Sequence, residues 1–399
     1  MKKNTILLAL SALMSLSAVA ENQPFLTKVY DFMSAPGQFV NTMPDAEAGD
    51  AKESILKRVE EAICGRYEEN DWGQMEMIYK PGMISLGSYG GYVVVGFDHP
   101  VVNVKGDYDF QIFGNAFLSD QYSSGGSSEP GIVMVSYDAN GNGLPDDPWY
   151  ELAGSEYNSP KTQHNYTITY YKPDENKVKT PDPNNKSIID NTYIRWTSND
   201  VNPDSVSGYV YKNSFHAQSY WPQWAEGETI TFTGSKLCNN ATDTSGKGTY
   251  WVQWNKGWGY VDNRPDYDPY SPRPDLDSAA MNRGFKIDWA VDADGVPVHL
   301  PMVHFIKVHN AVNQYCGWLG ETSTEVAGGI DFHPNQALPE VTAGDTNGDG
   351  VVDVSDVTAV INFILGQKQA GYNPVAVDVN GDTVVDVTDV TALINLILK

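Results

Sequence analysis

Cysteine is scarce in this chain of 399 residues: Cys64, Cys238 and Cys316 allow at most one disulfide and leave one thiol over. A disulfide framework is therefore not what stabilises the fold. Basic residues are also few, 26 Lys and Arg against 51 Asp and Glu, for a formal charge of -25. Such a surface repels phosphate backbones, which argues against nucleic acid and anionic membranes as partners. Beyond the first twenty residues no stretch approaches the ~20 apolar residues that a membrane helix needs, so no transmembrane span is expected. The chain also has no Gly-x-Ser-x-Gly elbow, no His-Glu-x-x-His and no phosphate loop, so the common hydrolase and phosphotransfer signatures are missing.

At the N-terminus, Lys2-Lys3, an apolar run from Ile6 to Val19 and a small-residue Ala18-Val-Ala20 site form a secretory signal peptide over 1–20. Export is expected, to the extracellular space, the cell surface or the periplasm. Residues 21–340 are rich in Gly, Pro, Tyr and Trp, with short apolar runs bounded by turn residues. That pattern predicts an antiparallel β-sandwich, jelly-roll-like, and roughly 320 residues suffice for a large core. Strands are expected at 92–97, 109–113, 132–137, 166–171, 229–233, 249–254, 285–289 and 303–308. Lys52–Ile63, with Ile55, Leu56, Val59 and Ile63 on one side, is the one convincing helix in this region. The stretch 262–277 is expected to be an ordered surface loop, and 333–344, with two prolines, a linker.

Several groups of residues here are candidates for a site. His216, Trp221, Trp224, Trp251, Trp254 and Trp258 concentrate half of the ten tryptophans within 38 residues. Exposed rings of this kind stack on the C–H faces of sugars, and buried ones fill sandwich cores. Asp138, Asn140, Asn142 and Gly143, followed by Asp146 and Asp147, begin like a calcium loop, but position 12 is Trp149. A carboxylate from Asp146, Asp147 or Glu151 would have to complete it; otherwise the segment is a turn held by Asx hydrogen bonds. Asp292-Ala-Asp294-Gly295 reads as a hairpin turn. Acidic pairs for glycoside hydrolysis could be drawn from Asp107, Asp109, Glu226, Glu228 or Asp288, which would need to stand about 5 to 10 Å apart. His299, His304 and His309, five residues apart, alternate faces in extended chain and are not expected to share a metal.

The last 55 residues are organised differently. Asp345, Asn347, Asp349, the Val351 carbonyl, Asp353 and Asp356 occupy positions 1, 3, 5, 7, 9 and 12 of a calcium loop. The set recurs 33 residues later as Asp378, Asn380, Asp382, Val384, Asp386 and Asp389, with 16 of 21 aligned residues identical. Two Ca2+ sites are expected. Gly350 suits the sharp turn at position 6, where the second loop has Thr383, whose β-branched side chain resists positive φ, so the second site should be weaker. After each loop the period becomes helical, through Val357, Val360, Ile361 and Ile364, then Val390, Leu393, Ile394 and Ile397. With eight Asp against two Lys from 345 onward, this EF-hand-like, all-α module over 341–399 should be loose without metal.

These paired loops resemble a type I dockerin. The resemblance implies calcium-dependent attachment to a cohesin-like domain, the usual arrangement of secreted proteins that handle polysaccharides. At loop positions 10 and 11, where a Ser-Thr pair often contacts the cohesin, this chain has Val354-Ser355 and Val387-Thr388. The stretches 90–99, 107–115, 138–151 and 313–321 resemble secreted or cell-surface proteins of Gram-negative anaerobes, a likeness that implies location rather than chemistry. The leading expectation is an exported, non-catalytic module that binds a glycan or another small ligand in polysaccharide use. A dockerin-tethered glycoside hydrolase or polysaccharide lyase, and a surface nutrient-binding or structural protein, are the alternatives.

Overall fold

The computed structural model describes residues 22–69, 75–78, 82–269, 280–382 and 384–399. The export signal expected over 1–20, Thr383 and the end of the 262–277 stretch lie outside the described residues. The protein is mainly β, with 31% strand against 13% helix, in several antiparallel sheets. Among the described residues no helix is long and apolar enough to cross a membrane.

The central sheet has six strands in the order Lys28–Met33, Tyr92–Gly96, Phe305–Asn310, Gly131–Ser136, Trp149–Leu152 and Ala290–Val291. Strand side chains alternate between faces, so each apolar run serves two cores. Val93, Val95, Val133, Val135, Ile306 and Val308 face the larger core, where they meet Ile55, Val59 and Ile63 of helix α1, Lys52–Ile63. The opposite face meets a second sheet, ordered Ser207–Asn213, Ile188–Ser198, Gln163–Tyr171 and Thr229–Lys236. Tyr166, Ile168, Tyr170 and Phe232 fill that layer, with Tyr89 edge-on to Tyr166 at 4.8 Å. Burial of each such side chain contributes about 1.5–3 kcal/mol relative to exposure. The backbone approaches closely here: Gly90 has φ +89°, and a Cβ on it would lie 2.3 Å from that of Phe232.

A third sheet, ordered Ala241–Asp243, Trp251–Trp254, Tyr122–Ser127 and Phe117–Ser119, stands to the side and walls the main cleft. Two expected strands are altered. Residues 287–289 form a 3-10 turn, because the Asp109 carboxylate accepts the Ile287 N–H at 2.7 Å and bends the chain away from a ladder. The run at 303–308 divides at His304, Met302–Val303 pairing with Val101–Val102 while Phe305–Asn310 enters the central sheet. Ile188–Ser198, the eleven-residue strand, is hidden in the sequence by Asp190 and Asn191, and its register shifts at Asp190. The start of the expected surface loop is not exposed: Asp262 and Asn263 are buried.

In the C-terminal segment, helices α2 (Val354–Ile364) and α3 (Val387–Ile397) each begin with a capping box, Asp353 with Asp356 and Asp386 with Asp389. They bury only the inner edge of each stripe, Val360 and Leu393 being fully buried while Ile361, Ile364, Ile394 and Ile397 stay exposed. The connection between them grips the β body. The Tyr372 hydroxyl donates to Asp292 Oδ2 at 2.9 Å, Lys368 Nζ reaches Asp292 at 2.8 Å and Asp294 at 2.9 Å, and the His299 N–H donates to the Tyr372 carbonyl. Tyr372 and Val377 thereby join the larger core.

Candidate functional site

The three loops share one internal geometry. In the first C-terminal loop Asp345 accepts from the N–H groups of Asp349 (3.1 Å) and Gly350 (3.0 Å), Asn347 Oδ1 from Asp349 N (2.9 Å), and Asp349 Oδ1 from Val351 N (2.9 Å). Asp356, fully buried, accepts from Thr346 N, Asn347 N and Asp353 N. The second loop repeats this, Asp378 accepting from Gly381 N and Asp382 N, and Asp389 from Asn380 N and Asp386 N. Every side-chain donor offered is an oxygen, the set a hard cation takes. At 138–147 the same pattern appears: Asp138 accepts from Asn142 N and Gly143 N, Asn140 from Asn142 N, and Asn142 from Leu144 N. Asp147 Oδ2 takes the Ala139 N–H at 3.1 Å, as Asp356 takes that of Thr346, while Asp146 is held by the amides of Asn140 and Asn142. Glu151 points elsewhere, to Ser235 Oγ at 2.6 Å, and burial pushes its carboxyl up to about 7.

The tryptophan-rich stretch does not form one site. Trp221 and Trp224 are buried in the two cores. Trp254 packs on Tyr122 with centroids 5.1 Å apart, and Trp258 lies on Trp289 at 4.5 Å in a separate cavity of about 260 Å³. Only Trp251 and His216 reach the main cleft. Sequence spacing cannot say which face of which sheet a ring occupies, and these six residues fall on the segment after Ser207–Asn213, on the strand Trp251–Trp254 and on the segment that follows it.

The cleft itself measures about 710 Å³. Phe117 and Phe215, both 60% exposed, line it with Tyr250 and Trp318. Phe215 meets Trp318 edge-on at 6.0 Å, His216 meets Phe39 at 4.6 Å, and Ser119 Oγ pairs with Tyr250 OH at 3.1 Å. Burial lowers the pKa of His216, favouring the neutral ring. Gln38, Gln121, Asp120 and Asn213 add hydrogen-bonding groups.

Its floor is acidic. Glu129, Glu321 and Glu325 line it, and Asp262 stands behind, with one carboxylate oxygen each of Glu129, Asp262 and Glu325 within 4.8 Å of the others. Backbone pairing brings these distant segments together: Gly131 bridges Val261, Glu129 N donates to the Asp262 carbonyl at 2.8 Å, and Glu325 N donates to Asp262 Oδ2 at 2.9 Å. Asp262 also accepts from Asn115 N at 2.8 Å and adopts φ +54°, the left-handed region that Asp tolerates better than most residues. Gly114 must be glycine here, since a Cβ on it would fall 2.7 Å from Asp262. Burial and mutual repulsion hold Asp262 and Glu325 well above the usual carboxylate range, and burial raises Glu321 to about 7.

None of the acidic residues expected for hydrolysis lines this cleft. Asp109 is buried as a structural acceptor for Val104 N and Ile287 N, Asp288 takes an Asn103 amide, and Glu228 pairs loosely with Lys172. The three histidines serve separate ends. His304 Nδ1 accepts the Asp138 N–H, the buried His309 bonds the Asn310 carbonyl and is pushed down to about 4, and His299 offers its backbone to Tyr372. Cys64, Cys238 and Cys316 are unpaired.

The paired acidic loops, each running into a capped helix, define a small calcium-type attachment module. Residues 343–398 match the Dockerin type I domain. Such domains bind calcium and cohesins, and proteins that carry them are typically extracellular or on the cell surface. No curated protein matches the chain.

Proposed function

We propose that this is an exported protein that captures a carbohydrate in the cleft walled by Phe117, Phe215, Tyr250, Trp251 and Trp318, and that its C-terminal module attaches it to a cohesin-like partner. The observation that carries the reading is the cleft: half-exposed rings facing a cavity of about 710 Å³, with amides and carboxylates at its edges. Sugars offer both a C–H face for the rings and hydroxyls for the polar groups. The Lys2-Lys3 and Ile6–Val19 pattern supports export.

In the attachment module, calcium sits among Asp345, Asn347, Asp349, Val351, Asp353 and Asp356, and among Asp378, Asn380, Asp382, Val384, Asp386 and Asp389. A third ion belongs to Asp138, Asn140, Asn142 and the Asp146–Asp147 pair. The docking face pairs exposed apolar residues of the two helices and their C-caps, Val354 with Val387, Ile361 with Ile394, and Leu365 with Leu398. An apolar pair at loop position 10, in place of hydroxyls, suits a cohesin-like partner with an apolar patch.

A second reading, a polysaccharide-cleaving enzyme, is favoured by the carboxylates on the cleft floor. One experiment separates the two: a glycan array probed with the full chain in calcium, the bound glycans then analysed for cleavage. Retention of an intact glycan, lost on Trp318→Ala, is the expected result. Cleavage would move the second reading to the front, and silence on every glycan would remove both.

A further inference from the structure

We propose that Glu129, Asp262 and Glu325 hold a divalent cation of calcium's size beneath the aromatic cleft, at a site distinct from the loops at 138–147, 345–356 and 378–389. Ligands stand about 2.3–2.6 Å from calcium, so oxygens on opposite sides of the ion are about 4.6–5.2 Å apart. The three carboxylate oxygens, all within 4.8 Å of one another, lie at separations that the ligands of one such ion span. Their orientation is already set by neighbours: Gln253 Nε2 donates to Glu129 at 3.1 Å, Ser323 N to the same oxygen at 3.3 Å, and Asn115 N to Asp262. Partners of this kind are what aim metal ligands.

An independent observation comes from a fourth carboxylate of the same cleft, close enough to Glu129 to feel its charge. Glu321, 8% exposed, lines the cavity together with Glu129 and Glu325. Its Oε1 accepts the Gln38 N–H at 2.6 Å, while its Oε2 is buried with no hydrogen-bond partner. A buried carboxylate oxygen without a donor is costly, and a cation or a water bound to one would satisfy it. Among the described residues no lysine or arginine forms an ion pair with Glu129, Asp262, Glu321 or Glu325. With no basic side chain beside them, these carboxyls are neutralised either by protons or by a cation from outside the chain, and binding of the cation releases the protons. The donor set is oxygen only, which selects a hard cation over zinc or copper. This assignment does not depend on what the cleft binds.

The test uses the full chain carrying Asp138→Ala, Asp345→Ala and Asp378→Ala, which removes the first ligand of each loop. Equilibrium dialysis against calcium should still find about one ion per chain, and calcium should raise the thermal midpoint of the tryptophan near-UV signal. Adding Glu325→Gln should abolish that ion, and Glu321→Gln should weaken it several-fold without abolishing it. A three-loop variant that keeps its near-UV signal and binds no calcium would overturn the proposal, as would full retention of the ion after Glu325→Gln. Unchanged affinity in Glu321→Gln would remove Glu321 from the site.

Discussion

The C-terminal loops and the floor of the cleft both gather acidic oxygens, but by opposite means. Each loop draws its carboxylates from twelve consecutive residues and orients them with N–H groups a few positions along the chain, as Asp345 is held by Asp349 and Gly350. The floor draws on residues 129, 262 and 325 and relies on strand pairing and a large core to bring them together. Local assembly is fragile because the fully buried apolar side chains of its own two helices are only Val360 and Leu393. The floor, built into the β body, should keep its shape whether or not an ion is present.

The comparison can be broken most directly by chelation. Excess chelator should abolish the helical signal of α2 and α3 while leaving the β signal intact, as read by far-UV circular dichroism; a helical signal unaffected by chelator would mean that the module carries its own stability. Asp356→Ala should reproduce the loss in the first loop, because it strands the N–H groups of Thr346, Asn347 and Asp353 at ~1–3 kcal/mol each. On the cleft side, Trp318→Ala should weaken ligand binding at least tenfold, about 1.4 kcal/mol, whereas Trp254→Ala, which removes a ring outside the cleft, should leave affinity within twofold by calorimetry. Equal losses would mean that the ligand lies elsewhere.

Acid gives a smaller, graded probe. Burial raises the pKa of Asp292, but the hydrogen bonds from Lys368, Val296 N and Tyr372 outweigh it and the net shift is downward. A depressed carboxyl contributes stability that is full above its unfolded value, about 3.9, and is lost as pH falls through the lower folded value. Protease cleavage around 366–373 should therefore rise below about pH 4, and Lys368→Ala should shift that onset upward. The smallest effect belongs to Thr383→Gly: Gly350, at the same position of the first loop, has φ +86°, a conformation that glycine adopts without steric cost, so the substitution should tighten the second loop several-fold in a calcium titration.

Legibility in the sequence followed the same local-distant division. Helix α1 was readable to its ends, since Ile55, Val59 and Ile63 recur at helical spacing and all are buried. The mainly β class was equally clear from short runs such as Tyr92–Gly96. The cleft was not: Phe117, Phe215, Tyr250 and Trp318 come from separate segments, and no periodicity links them. Glu129 lies in an ordinary Ser-Ser-Glu-Pro turn, and Glu325 among small polar residues, so nothing local marks either as part of one acidic group. The stretch expected as a surface loop from 262 begins inside the fold, because Asp262 accepts the N–H groups of Asn115 and Glu325, which no local sequence pattern connects to it.

The bonds among Tyr372, Lys368 and the Asp292 turn have a mechanical meaning. If a scaffold pulls on the C-terminal module, the force does not have to run through the irregular stretch 333–344 alone. Some of it enters the β body where Tyr372 pairs with Val298 and where Gly371 N bonds the Pro297 carbonyl, one strand away from Trp149–Leu152. The C-terminal module is thus braced at its middle, so that load applied to it is shared between the 333–344 stretch and the β body.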